Sequence, residues 1–230
     1  MKSMALLLTA ALLMAVSCSD DKNSATDGQT SISLKVSQTA LAKSMADTIT
    51  LDTVKVLMKN IKFKVDDDLE DSLDFKVGPF VVYLNLTGKM TTIGVSEIPS
   101  GTYNKVKFKI HKPEDNETVS DPEFKTGSSG DERFSVIIKG HYFETPFTYK
   151  SKKSIEQELI LNPPLVIADS VGSTNVTLLV STYTWFRDRN GIILNPADAE
   201  NEDTIDDNIK DSFKAYKDDD KDGNDDGDDD

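Results

Sequence analysis

The chain has 230 residues, 37% of them hydrophobic, with a formal net charge of −14. Residues 218–230 hold nine Asp against one Lys, so −8 of that charge (one minus nine) sits in the last thirteen residues and the rest is mildly acidic. No basic stretch interleaved with aromatics offers a surface for phosphate neutralisation, which excludes nucleic acid as a partner.

Met1-Lys2 is a short basic start, followed by an unbroken apolar run from Met4 to Val16. As a helix these thirteen residues rise about 20 Å, short of a ~30 Å hydrocarbon core. The run reads as a secretory signal, not a membrane span. It ends at Ala15-Val16-Ser17-Cys18, which resembles the lipobox of bacterial lipoproteins. The resemblance implies cleavage after residue 17, acylation of Cys18 and a membrane partner reached through the lipid. Cys18 is the only cysteine, so no disulfide and no Cys-ligated metal is expected. Ser19 to Gln29 is polar and reads, with Cys18, as a flexible tether over residues 18–29. Ser19 directly after the cysteine argues against inner-membrane retention. Asp20-Asp21 resembles the export signal of surface lipoproteins in some Gram-negative lineages. The expected address is the outer membrane, facing outward, with the periplasmic face as the alternative.

From residue 30 to 188 the pattern has period two. Ser31 to Val36 alternates, and Lys105 to Ile110 sets Val106, Phe108 and Ile110 against three lysines. Val54, Val56 and Met58 followed by Ile61, Phe63 and Val65 predict one long strand with a bulge near Asn60. Further strands are expected within Phe80 to Leu86, Phe134 to Ile138, Tyr142 to Tyr149, Ile155 to Leu161 and Val176 to Trp185. Turn signals at Gly78-Pro79, Thr87-Gly88, Pro99-Ser100-Gly101, Gly127 to Gly130 and Asn162-Pro163-Pro164 separate them. The fold class is all-β, an antiparallel β-sandwich.

Residues 189–217 are expected to form a loop and one C-terminal α-helix. Ile205, Ile209, Phe213 and Tyr216 fall on one helical face, Asp203 or Thr204 can cap it, and Lys214 and Lys217 suit its end.

Three stretches together, Ile49 to Lys64, Gly78 to Lys89 and above all Glu97 to Ile110, resemble a family of bacterial lipoprotein domains of unknown function (domain of unknown function 4382). Its turn motif is matched by Ile98-Pro99-Ser100-Gly101-Thr102-Tyr103, where Pro99 fixes φ and Gly101 permits a positive φ. The ending from Thr184 to Gly223 resembles the finish of related lipoproteins. The resemblance implies a transthyretin- or immunoglobulin-like sandwich and no assigned activity.

Catalysis finds no motif. His111 and His141 stand thirty residues apart, and neither a nucleophile elbow nor a phosphate-cradling loop occurs. The chain is read as a non-enzymatic binding or structural module of the cell surface, with a glycan or protein partner. The alternative is a glycan-binding module, with a small carboxylate hydrolase as a third reading. For the glycan reading Tyr183, Trp185 and Phe186 are the stacking candidates, set against core packing of the same rings. Asp47-Thr48-Ile49, Asp52-Thr53-Val54, Asp71-Ser72-Leu73, Asp169-Ser170-Val171 and Asp203-Thr204-Ile205 resemble a periplasmic O-glycosylation sequon.

The Asp-rich tail, 218–230, has two readings. One is a disordered, solvated run of charge. The other is a twelve-residue calcium loop offering Asp218, Asp220, Asp222, the Asn224 carbonyl, Asp226 and Asp229, with Gly223 at the turn. Asp229 is a methylene shorter than the usual closing glutamate, so Ca2+ binding would be weak.

Overall fold

The computed structural model describes residues 28–37, 48–65, 72–127, 132–168 and 172–225. The signal, Cys18 and most of the tether lie outside the described residues.

The chain forms a two-layer β-sandwich with one short helix. Its strands are β1 (Thr30–Val36), β2 (Ile49–Lys64), β3 (Ser72–Tyr83), β4 (Thr91–Ser96), β5 (Gly101–Ile110), β6 (Val136–Tyr142), β7 (Thr145–Ser151), β8 (Ile155–Ile167), β9 (Thr174–Val180) and β10 (Phe213–Lys217). Helix α1 (Glu202–Lys210) precedes β10. One sheet has the order β10-β9-β1-β4, and the other runs β7-β6-β2-β5-β8 with β3 on the free side of β2. The core lies between them, with Phe63, Phe108, Trp185 and Phe186 among its largest buried side chains.

β2 organises the larger sheet. Val54, Val56 and Met58 point inward, then Ile61 and Phe63 do, so the inward side changes parity. Asn60 makes that change with a φ of 54°, and its side chain accepts a bond from the Gly78 N–H at 3.2 Å. The bulge read from the sequence is there. Along one edge β2 pairs first with β6 and then with β5. The hand-over falls at Leu57, whose N–H donates to Ser135 and whose carbonyl accepts from His111.

Five expectations change. β1 and β9 run parallel over all seven residues of each, so the sandwich is not wholly antiparallel. Phe213 and Tyr216 do not continue the helix. The free edge of β9 takes residues 213–217 as strand β10, and the sandwich therefore extends past residue 188 to 217. Asn162-Pro163-Pro164 is no turn between strands. It lies in an excursion of β8, where the register jumps from Leu165 opposite Tyr103 to Ile160 opposite Lys105. Tyr142 to Tyr149 is not one strand but a hairpin turning at Phe143-Glu144, both at positive φ, and β4 is a strand for which no expectation was stated. Finally, Gly101 is not at positive φ. The turn is held instead by the Tyr103 hydroxyl, which donates to the Pro99 carbonyl at 2.8 Å.

The segment between β5 and β6 crosses the outer face of the larger sheet. Phe124, fully buried, fills a pocket over Leu57 and Ile137, and the Lys55 ammonium holds Asp121 at 2.6 Å and Glu123 at 2.8 Å. The sandwich is closed on the side where β10 meets β8, with Phe108 packed edge-on against Phe213 at 5.5 Å. On the other side β3 and β4 face each other across an open groove.

Candidate metal centre

The smaller sheet carries a row of small polar side chains on its outer face. The Ser31 and Ser33 hydroxyls donate to Asn175 Oδ1 at 2.8 and 3.0 Å, and Asn175 Nδ2 donates to Thr177 Oγ1 at 3.0 Å. All four side chains are buried. What covers them at the C-terminal end is the start of the acidic tail.

Asp218 follows β10 directly and continues its pairing, its N–H donating to the Asn175 carbonyl at 3.0 Å. Its carboxylate is fully buried and accepts from Thr177 Oγ1 at 2.5 Å, from Gly223 N–H at 3.3 Å and from Asn175 Nδ2 at 3.5 Å. Burial of a carboxylate demands such donors. Residues 219–225 then turn back over this anchor. Asp220 Oδ1 accepts from Asp222 N–H at 3.0 Å, and Asp222 Oδ1 accepts from Asn224 N–H at 2.6 Å. Gly223 takes a φ of 80°, as the sixth position of a calcium loop requires. Its carbonyl accepts from the Tyr216 hydroxyl at 2.6 Å and from Lys35 Nζ at 2.8 Å. The segment 218–225 is thus docked on the sheet, which corrects the reading of the whole tail as disordered.

One carboxylate oxygen from each of Asp218, Asp220 and Asp222 lies within 4.8 Å of the others. An all-oxygen donor set of this kind suits a hard cation such as Ca2+ and suits zinc or copper poorly. The three residues expected at positions one, three and five of the loop are therefore brought together, with Gly223 at the turn. Asn224 follows in place, while Asp226 and Asp229 lie outside the described residues.

A second convergence was not foreseen. His111, Glu114 and Glu117 also place ligand atoms within 4.8 Å of one another, at a three-residue spacing that was the only sequence signal for it. A cation is already there: the Lys59 ammonium contacts Glu117 closely and stands 4.0 Å from Glu114. Burial by itself would raise the Glu117 carboxyl. Lys59, the Glu114 N–H and His111 (Nε2 at 2.5 Å) outweigh it and hold the group at about 2. This cluster is an ion-pair network in which Lys59 already occupies the place of a cation.

The aromatic stacking candidates do not form a platform. β9 ends at Val180, and a 3-10 turn over Thr182–Thr184 carries the chain inward. Trp185 and Phe186 are fully buried, Phe186 meeting Phe147 and Tyr149 edge-on, so neither ring has a free face. Tyr183 is half-buried, its ring covered by the Arg187 guanidinium at 4.4 Å. Of the sequon-like triplets, Asp52-Thr53-Val54 lies in β2 and Asp203-Thr204-Ile205 in α1, and only Thr204 presents an exposed hydroxyl residue. The other three fall wholly or partly outside the described residues.

Compared with family models, curated proteins and solved structures, the chain matches none of them.

Proposed function

We propose that this chain is a lipid-anchored, non-enzymatic protein of the bacterial outer membrane surface, a binding or structural module whose C-terminal loop holds a calcium ion. The observation that carries the calcium reading is the seating of Asp218. It is buried on the sheet and shares a 4.8 Å neighbourhood with the carboxylates of Asp220 and Asp222 around a Gly223 already in the required conformation. Bound there, the ion would supply charge compensation for converging carboxylates and pin residues 218–225 to β9 and β10. Asn224, Asp226 and Asp229 would complete the ligand set from the loop's second half. The anchor reading is supported by Cys18 at the end of an apolar run. Eleven residues free of large apolar side chains, Ser19 to Gln29, then precede the first strand and can extend to roughly 35–40 Å. The lipoprotein-family resemblance of Ile98 to Tyr103 points the same way.

Two experiments test the two halves. Calorimetric titration at ~0.1 M salt should give a saturable site with a Kd near ~10⁻⁴–10⁻³ M, lost in the double variant Asp220→Asn and Asp222→Asn. Shuffling the order of residues 218–230 keeps the charge and removes the spacing. Equal calcium affinity in the shuffled chain would overturn the loop. For the anchor, Cys18→Ser should abolish labelling by palmitate and release the protein from membranes. Equal labelling in both would remove the lipoprotein assignment.

A further inference from the structure

Among the described residues, five strands pair on one side only: β10 and β4 in one sheet, β7, β8 and β3 in the other. Open edges invite pairing with another chain, and charge or proline deters it. Four of the five are so equipped. β10 carries Lys214 and Lys217, β7 Pro146, β8 Pro163 and Pro164, and β3 Pro79. β4 reads Thr-Thr-Ile-Gly-Val-Ser, with no charge, no proline and β-branched residues at four of its six positions.

This bare edge borders the groove of about 410 Å³ between β4 and β3. Lys76 reaches across it from β3. Its ammonium donates to the carbonyl of Ile93, a residue the β1 register skips, and lies 4.0 Å from the centroid of the Phe80 ring. The lysine thus takes the place that an N–H from an adjoining strand would fill. Burial lowers its pKa, and among the described residues no carboxylate stands within ion-pair distance of it. An ammonium partly withdrawn from water without a counter-charge is costly, and an incoming carboxylate removes that cost.

We propose that β4 is the acceptor edge for an extended, acidic peptide segment of a partner protein, which adds a fifth strand to the four-stranded sheet and sets a carboxylate against Lys76. Main-chain bonds to Thr91–Ser96 supply the affinity, and the carboxylate fixes the register. A second copy of this chain is a poorer occupant, because β4 paired with β4 brings two Lys76 ammoniums toward one seam. This inference does not rest on the calcium loop, which lies on the outer face of the same sheet over β9 and β1.

The test titrates the full-length protein, in detergent, into a fluorescein-labelled peptide of sequence Val-Thr-Val-Glu-Val-Thr-Val, read by anisotropy and by hydrogen exchange. Saturable binding is expected, with slowed exchange of the Thr91–Ser96 amides. Lysine in place of the peptide glutamate, or Lys76→Met in the protein, should weaken binding at least about tenfold, and N-methylation of alternate peptide amides should abolish it. No binding at about 1 mM peptide, equal binding of the lysine or N-methylated peptides, or protection at another edge overturns the proposal. Two rival occupants are outcomes that also overturn it. One is a Lys76-dependent site for oligogalacturonate with no peptide binding. The other is self-association that protects β4 without peptide.

Discussion

Buried Asp206 and half-buried Glu117 titrate in opposite directions. Burial pushes the Asp206 carboxyl up, against the opposing pull of the Tyr149 hydroxyl at 2.7 Å and of Lys153. A raised acid binds its proton more tightly in the folded state. Its contribution is therefore most favourable below the ordinary aspartate range and is lost as pH climbs through the raised value. Asp206→Asn keeps an acceptor for Tyr149 and removes the buried charge, so its melting temperature at pH 7 should equal or exceed that of the parent, with the difference shrinking in acid. A clear loss at pH 7 would contradict this account. Glu117 behaves the other way. Held at about 2, it contributes stability that is complete above the ordinary value of 4.5 and lost as pH falls toward 2. Glu117→Gln should flatten the acid limb of a stability-against-pH curve within that window. Tyr103 shows what the sequence concealed at this scale. The Pro99 to Tyr103 motif was legible as a turn, but the hydroxyl that ties it lies four residues on and the glycine carries no strain. Gly101→Ala should leave the denaturation midpoint almost unchanged, since a Cβ there meets only the Tyr103 ring at 3.7 Å. Tyr103→Phe should cost about 1 kcal/mol.

At the scale of elements, periodicity located the strands and missed what only a distant element supplies. β2 was readable because its inward residues change parity at Asn60, a pattern that only a bulged strand satisfies. The serines and threonines of β1 and β9 gave no sign of the loop above them, because a polar residue on a strand reads as solvent-facing until something covers it. The helix was overextended for a related reason. Phe213 and Tyr216 suit a helical face as well as a strand, and the choice is made by the vacant edge of β9, which no local window contains. The acidic segment between β5 and β6 hides one fully buried ring, Phe124, beside its ion pairs. Phe124→Ala should cost about 3 kcal/mol and speed hydrogen exchange in residues 112–127 first. Unchanged stability would show that the Lys55 ion pairs hold this segment alone.

For the molecule as a whole, the two-layer all-β architecture followed from alternation and turn spacing, whereas the parallel β1–β9 pair followed from neither. Residues 144 apart in sequence meet there, and nothing local announces it. Calcium should couple to global stability through the loop seated on this sheet. At ten times its Kd the ion should add about 1.4 kcal/mol, and the shuffled tail should show no such shift. The placement of β1 also has a mechanical meaning. The chain enters the fold at this strand, which is gripped on one flank by β4 and on the other by β9. A pull along the axis of β1 from its N-terminal end loads both ladders, the β4 bonds perpendicular to the pull and the parallel β9 bonds slanted to it. Those bonds share the load in shear and must break together, where a strand pulled sideways would peel one bond at a time. If the proposed anchor moors the protein by that end, the fold should hold firm under drag and then fail in one abrupt step.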